Sequence, residues 1–158
     1  MALAGLENTT GTKSFVVAGE PATFDLAGYE ALAFSSGQVV GTVTFGAWGD
    51  DNEDVSEPLL SEGRVIHTNG TADGGEVELS VQHRTTDAGS DILLANAGTN
   101  DAVSVKKLYK SGDAEYATVV ISGAKFREAA GNAVRGYTVM ARVNTGLVKA
   151  TAAEIAAL

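Results

Sequence analysis

Glu76-Val77-Glu78-Leu79-Ser80-Val81-Gln82 sets apolar and polar side chains in strict alternation. Successive side chains of a strand point to opposite faces, so Val77, Leu79 and Val81 enter a core while Glu76, Glu78, Ser80 and Gln82 meet water. The same period returns in a strand expected over Val134–Val148, where Tyr137, Val139, Ala141 and Val143 share a face opposite Thr138, Met140, Arg142 and Asn144. Upstream it predicts a strand from Gly37 to Ala47, with Val39, Val43, Phe45 and Ala47 on one face and Gln38, Thr42 and Thr44 on the other. Shorter runs at Lys13–Ala18, Glu62–Thr68, Ala102–Tyr109 and Glu115–Ala124 bring the total to about seven strands. One helix stands out among them: Thr86-Asp87 can cap it, Ile92, Leu93 and Ala95 supply its apolar face, and Gly98 ends it. Pro21–Leu32 offers a further turn or two, capped by Thr23 or Asp25. The predicted fold is mainly β, a sandwich or small barrel-like two-sheet domain with one flanking helix and a long inter-strand loop.

The chain's 158 residues suit one domain with a core of its own. The expected division is an N-terminal arm over 1–12, a β domain over 13–148 and a C-terminal arm over 149–158, which is helical or frayed. Its 19 glycines are dispersed and punctuate Val-, Thr- and Ala-rich runs, as turns between strands do. The absence of cysteine excludes a disulfide framework, an iron–sulfur cluster and a thiolate zinc site. No signal-like start and no apolar run of about 20 residues is present, so the expectation is a protein made and kept in a cytosol, with no membrane partner.

Nothing selects a catalytic constellation. His67 and His83 stand outside any ligand spacing, and no nucleophile elbow, phosphate loop or helical zinc motif occurs. The acidic run Asp50-Asp51-Asn52-Glu53-Asp54 lacks the alternating ligands, central Gly and final Glu of an EF-hand loop. The expectation is therefore no enzyme, no metal and no cofactor. This run belongs to a stretch, Trp48 to Leu60, that shows no helix or strand period and reads as a long loop; such loops are usually functional or disordered. Trp48, the one tryptophan, is either a core residue or an anchor at a subunit contact, where Trp is enriched. In Lys106-Lys107-Leu108-Tyr109-Lys110 the doubled lysines break the alternation begun by Val103 and Val105, which predicts a bulge.

The net charge of −9 argues against generic binding of nucleic-acid phosphates. Its distribution is uneven. Residues 1–83 hold 13 acidic and 2 basic side chains, whereas residues 84–158 hold 7 acidic and 9 basic. The asymmetry reads either as two complementary surfaces or as an uneven scatter of solvated charge.

In order and spacing these pieces resemble the major tail tube proteins of long-tailed, siphovirus-type bacteriophages. The resemblance covers about Lys13 to Val148. It starts with Pro21-Ala22-Thr23-Phe24-Asp25-Leu26-Ala27-Gly28-Tyr29-Glu30-Ala31-Leu32-Ala33-Phe34 and continues through Val39–Ala47, the long loop, Pro58-Leu59 and Glu76-Val77-Glu78-Leu79. Asp87-Ala88-Gly89-Ser90-Asp91-Ile92-Leu93 is similar to the family's helix start, and Tyr116–Gly123 to its penultimate strand pair. The loop is more acidic than the family pattern. The resemblance implies a structural virion subunit, made in the bacterial host cytoplasm and placed in the virion tail. It implies hexameric rings stacked into a tube, tape measure, tail terminator and tail tip proteins as partners, and a lumen that DNA crosses during ejection without specific binding. On that footing Trp48, Asp50, Asp51, Glu53, Asp54, Val55, Glu57 and Leu59 are expected to form an inter-ring loop. Lys106, Lys107, Lys110, Lys125 and Arg127 would be its basic partners, and Gln38, Thr42, Thr44 and Glu62 are the candidates for the lumen. A carbohydrate- or host-binding β-sandwich module of a virion is the alternative; it would need exposed aromatic platforms, and aromatics make up only 6% of the chain.

Overall fold

The computed structural model describes residues 5–61 and 63–158. Their strands are β1 (Lys13–Ala18), β2 (Thr42–Phe45), β3 (Asp51–Leu59), β4 (Arg64–Asp73), β5 (Glu76–Gln82), β6 (Ala102–Leu108), β7 (Ala114–Phe126), β8 (Gly136–Val143) and β9 (Val148–Ala150). The helices are α1 (Leu26–Glu30), α2 (Ala88–Asn96) and α3 (Ala152–Ala156). One antiparallel sheet runs in the order β1-β6-β7-β8-β5-β2, with β9 paired to the start of β7, and β3 and β4 form a second sheet by themselves. The mainly β fold expected from the alternation is the fold observed.

The large sheet curls until its two ends meet. Residues 37–45 make the seam. At their start, Val16 N donates to Gly37 O and Val39 N donates to Ser14 O, both at 2.8 Å, which ties them to β1. At their end, Gln82 N donates to Gly41 O at 2.7 Å, and Thr44 and Phe45 face Ser80 and Leu79 of β5. An open edge of unpaired N–H and C=O groups invites foreign strands, and closure removes it. The seam residues cannot be bulky: a Cβ on Gly37 would lie 1.8 Å from Val16 O, and one on Gly41 would lie 2.1 Å from Gln82 O.

Inside the curl lie Val16, Val39, Val77, Leu79, Val81, Val103, Val105, Val119, Ile121, Tyr137 and Val139, with Leu93 of α2 as a plug. Asp87 fixes that helix. Its carboxylate, 4% exposed, accepts from Ser90 N as the N-cap and from Gly41 N on the seam, both at 3.1 Å. The outer face of β6 and β7 carries a second cluster of Tyr29, Phe34, Ala114, Tyr116 and Ala150. Asp25 caps the short α1 that delivers Tyr29, its carboxylate accepting from Gly28 N at 2.8 Å. The C-terminal residues form α3, opened by a capping box of Thr151 and Glu154.

Four local expectations change. The strand foreseen over Gly37–Ala47 is regular only at Thr42–Phe45, with a register shift between Thr42 and Thr44. That shift breaks the parity, so Val39 is buried but Val43 is half exposed. The strand foreseen over Val134–Val148 divides into β8 and β9 at Thr145, whose Oγ1 takes the Thr118 N–H, while Asn144 N donates to Thr118 O. No bulge forms at Lys106-Lys107, since β6 pairs β7 without a shift from Ala102 to Leu108. Finally, the stretch read as a loop after Trp48 contains β3, and the strand expected to end at Thr68 continues, as β4, to Asp73.

The doubled lysines stay in register because each sets its ammonium group over aromatic rings and beside a carboxylate. Lys106 Nζ lies 5.2 Å from the centroid of Tyr116 and donates to Glu30 Oε1 at 2.9 Å, while the Tyr116 hydroxyl donates to the same oxygen. Burial alone would raise the Glu30 carboxyl, but the bonds from Lys106 and Tyr116 and the Lys106 charge outweigh it and hold it below its ordinary value. Burial, reinforced by Glu30, pushes the Tyr116 phenol up. A depressed carboxyl stabilises the fold fully above its unfolded value of about 4.3 and loses that contribution as pH falls through the lower folded value. Glu30→Gln is therefore expected to lower stability by about 1–3 kcal/mol at pH 7. The deficit should shrink toward zero below about pH 4. Thermal melts of both proteins from pH 3 to pH 7 check this; a deficit independent of pH would refute it.

Candidate self-assembly surfaces

β3 and β4 project from the barrel as an antiparallel hairpin, paired from Asp51 opposite Asp73 to Leu59 opposite Arg64. A shift between Asn52 and Asp54 is accommodated at Gly70, where a Cβ would meet Val55 Cγ2 at 2.8 Å. No residue of β3 is buried, and in β4 only Gly70 is less than exposed. This explains the missing period: alternation records one wet and one dry face, and this hairpin has no dry face within the subunit. Its apolar residues are nonetheless large. Val55, Leu59 and Ile66 line one face together with Glu57 and Thr68, around a shallow depression of about 250 Å³. The exposures of these side chains are 47% for Val55, 39% for Leu59 and 51% for Ile66. On the other face the Asp54 carboxylate accepts a hydrogen bond from His67 Nδ1 at 2.9 Å.

The hairpin's root is pinned. Trp48 packs edge-on against Phe45 with centroids 4.8 Å apart, and its Nε1–H donates to Glu115 Oε2 at 2.7 Å. Lys107 Nζ lies 4.0 Å from the same carboxylate oxygen. Trp48 is half-buried, packing against the barrel core beside Phe45. Asp50, Asp51, Glu53, Asp54, Val55, Glu57 and Leu59 are all exposed on or beside the hairpin.

The basic residues separate into two sets. Lys106 and Lys107 have carboxylate partners inside the subunit, Glu30 and Glu115, and their side chains are each only 14% exposed. Lys110 and Lys125 are exposed, and Arg127 is half-buried with Nη2 donating to Ser80 Oγ at 2.7 Å. Arg84 and Arg135, which the sequence reading passed over, lie beside Lys125 and Arg127: His83 N donates to Arg135 O and Arg127 N donates to Gly136 O, both at 2.9 Å. Isolated in sequence, these arginines gave no charge run to notice; only strand pairing gathers them.

Of the lumen candidates, Gln38 sits half-buried on the seam. Thr42, whose hydroxyl donates to Val39 O, and Thr44 line a cavity of about 260 Å³ with Thr9, Thr12, Ser14 and Lys107. Glu62 lies outside the described residues. Among the described residues no group of three or more His, Cys, Asp or Glu side chains could hold a metal ion. Among the described residues no helix is long and apolar enough to cross a membrane.

No protein-family model matches the chain, and no curated protein matches it. Solved structures do. The sheath/tube terminator of the extracellular contractile injection system PVC superposes with a TM-score of 0.64 at 5% identity, over 95% of this chain and 100% of that one. The SPP1 tail tube gives 0.62 at 14% identity, over 89% and 76%. The tail of an empty gene transfer agent particle, refined with C6 symmetry, gives 0.59 at 12% identity, over 92% and 100%. At these identities the likeness is one of fold, and the fold is that of the tail tube proteins of phages and phage-like particles.

Proposed function

We propose that the chain is the structural subunit of a bacteriophage-type tail tube. It assembles into hexameric rings that stack to form a channel for DNA ejection, and it carries out no turnover. The observation that carries this reading is the hairpin. A two-stranded hairpin is marginally stable in water by itself, yet here 19 residues, Asp51–Leu59 and Arg64–Asp73, extend away from the core with apolar Val55, Leu59, Val65 and Ile66 in solvent. Such an element is made to be covered. The fold shared with the SPP1 and gene transfer agent tails supports further copies of the chain as the cover, and the C6 symmetry of the latter supports a six-membered ring. Tape measure, terminator and tip proteins are the remaining partners on this reading, and the virion tail is its place. Polar Gln38, Thr42, Thr44 and Glu62 stay candidates for the lumen.

The carbohydrate-binding alternative is weaker. Tyr29, Tyr116 and Tyr137 are fully buried and Trp48 is engaged by Glu115, so the described residues present no paired aromatic platform. Sedimentation of the purified protein across a concentration series, with negative-stain images, tests the proposal. Rings or tubes about six subunits round are expected; a monomer persisting at high concentration and low salt would overturn it.

A further inference from the structure

β5 connects two ends of the subunit that differ in charge. It leaves the hairpin at Glu76 and ends, about 20 Å on, at Gln82, the end of the sheet that also carries Arg84, Lys125, Arg127 and Arg135. Among the described residues none of these four forms a salt bridge; the hydroxyl that Arg127 meets is neutral and leaves its charge uncompensated. Glu128 is the one carboxylate on the connection between β7 and β8. Phe126, 69% exposed, and Val134, 57% exposed, stand at the same end of the subunit, and the Phe126 ring lies 6.0 Å from that of Tyr137 at the lip of the core. At the opposite end, residues 51–73 hold six carboxylates and one guanidinium.

We propose that the patch of Arg84, Lys125, Phe126, Arg127, Val134 and Arg135 is the receptor for the acidic hairpin of a second copy of the chain. This deepens the tube reading and rests on it. Each surface answers the other: carboxylates meet guanidinium and ammonium groups, and Val55, Leu59 and Ile66 meet Phe126 and Val134. The two lie at opposite ends of one strand, so they cannot satisfy each other within a copy. A contact between unlike surfaces propagates instead of closing, which turns a pair into a filament. Lys106 and Lys107 are excluded from the receptor by their internal partners. Exposed ion pairs contribute little individually, so they set register and encounter rate while the apolar groups hold the joint.

The test uses two variants of the full chain, one with Arg84→Glu, Lys125→Glu and Arg135→Glu, the other with Asp51→Lys, Glu53→Lys and Glu57→Lys. All changed side chains are exposed; circular dichroism melts confirm the folds. Each variant alone should stop short of tubes, and an equimolar mixture should restore tube mass at least about 10-fold over either, because reversed hairpins then meet reversed receptors. A milder pair, Arg84→Gln with Arg135→Gln, guards against misfolding; it should elongate more slowly than wild type and respond less to salt between about 0.05 and 0.5 M. Wild-type tubes together with normal tubes from the receptor variant, or no gain on mixing, would overturn the receptor and leave the tube reading standing. A receptor variant that polymerises normally but loses affinity for a short DNA duplex would assign the patch to DNA. A wild type that never polymerises would overturn both readings.

Discussion

Gly37→Ala is expected to destabilise the subunit by about 3 kcal/mol, near the upper range of single substitutions. For a chain of this size that lowers the melting temperature by about 10 °C. The new methyl group would stand 1.8 Å from the Val16 carbonyl oxygen, which is backbone and cannot swing aside. Relieving the clash means parting residues 37–39 from β1, where Val16 N and Val39 N bond across the seam. The disturbance also reaches α2, because Gly89 packs against Gly37 O and Gln38 and its N–H donates to Gln38 O at 3.2 Å. Gly123→Ala is the control: a Cβ there meets nothing within 4 Å, and its effect should stay within about 1 kcal/mol. Chemical denaturation of the three proteins checks this. Equal stability of Gly37→Ala and wild type would mean the barrel is not held shut at this seam.

Excising the hairpin should have the opposite profile, a folded subunit that cannot polymerise. Asn52 and Ala72 are paired partners, so replacing residues 53–71 with a two-residue Asn-Gly turn closes the ladder without strain on the barrel. Among the described residues the removed side chains are exposed and contribute nothing to the buried clusters. The melting temperature should move by only a few degrees, about the effect of 1 kcal/mol. Assembly should fall by more than about 100-fold, since Val55, Leu59, Val65 and Ile66 leave together and hot-spot losses of 2 kcal/mol or more each are common. Images showing tubes at the wild-type yield would refute the role of the hairpin. Loss of folding would show that the hairpin supports the barrel.

Where side chains alternate between core and water, the sequence was readable. Val77, Leu79 and Val81 are all buried as their spacing requires, as are Tyr137, Val139, Ala141 and Val143. Asp87 and Asp25 cap the two helices at the positions their residue types advertise. Reading failed where the energetics are not written in period two. β3 and β4 are strands with neither face buried in the subunit, so their pattern answers to a surface outside the chain. The doubled Lys106 and Lys107 predict a bulge, but cation–π contacts with rings and the carboxylates of Glu30 and Glu115 hold both side chains in a regular strand. The basic cluster escaped notice because Arg84 and Arg135 are distant in sequence and adjacent through β5–β8 pairing. The acidic half, by contrast, was legible as a continuous run.

The seam also has a kinetic side. β1 pairs with β6, Lys13 facing Leu108, so the sheet is not complete until most of the chain is in place, and topologies this non-local fold in milliseconds to seconds. The hairpin needs only neighbouring residues and forms in about 1–10 μs. Each nascent subunit therefore passes through an interval in which its sticky protrusion is already forming and fraying while the edges of β1 and β5 are still unpaired. Two routes compete in that interval, ordered polymer and edge-to-edge aggregate, and crowding by newly made copies favours the second. Docking of α2 onto residues 37–41 through Asp87 and Gly89 shortens the interval by holding the closing segment against the sheet. In a chain built to polymerise, the speed of that last closure separates a tube from a precipitate.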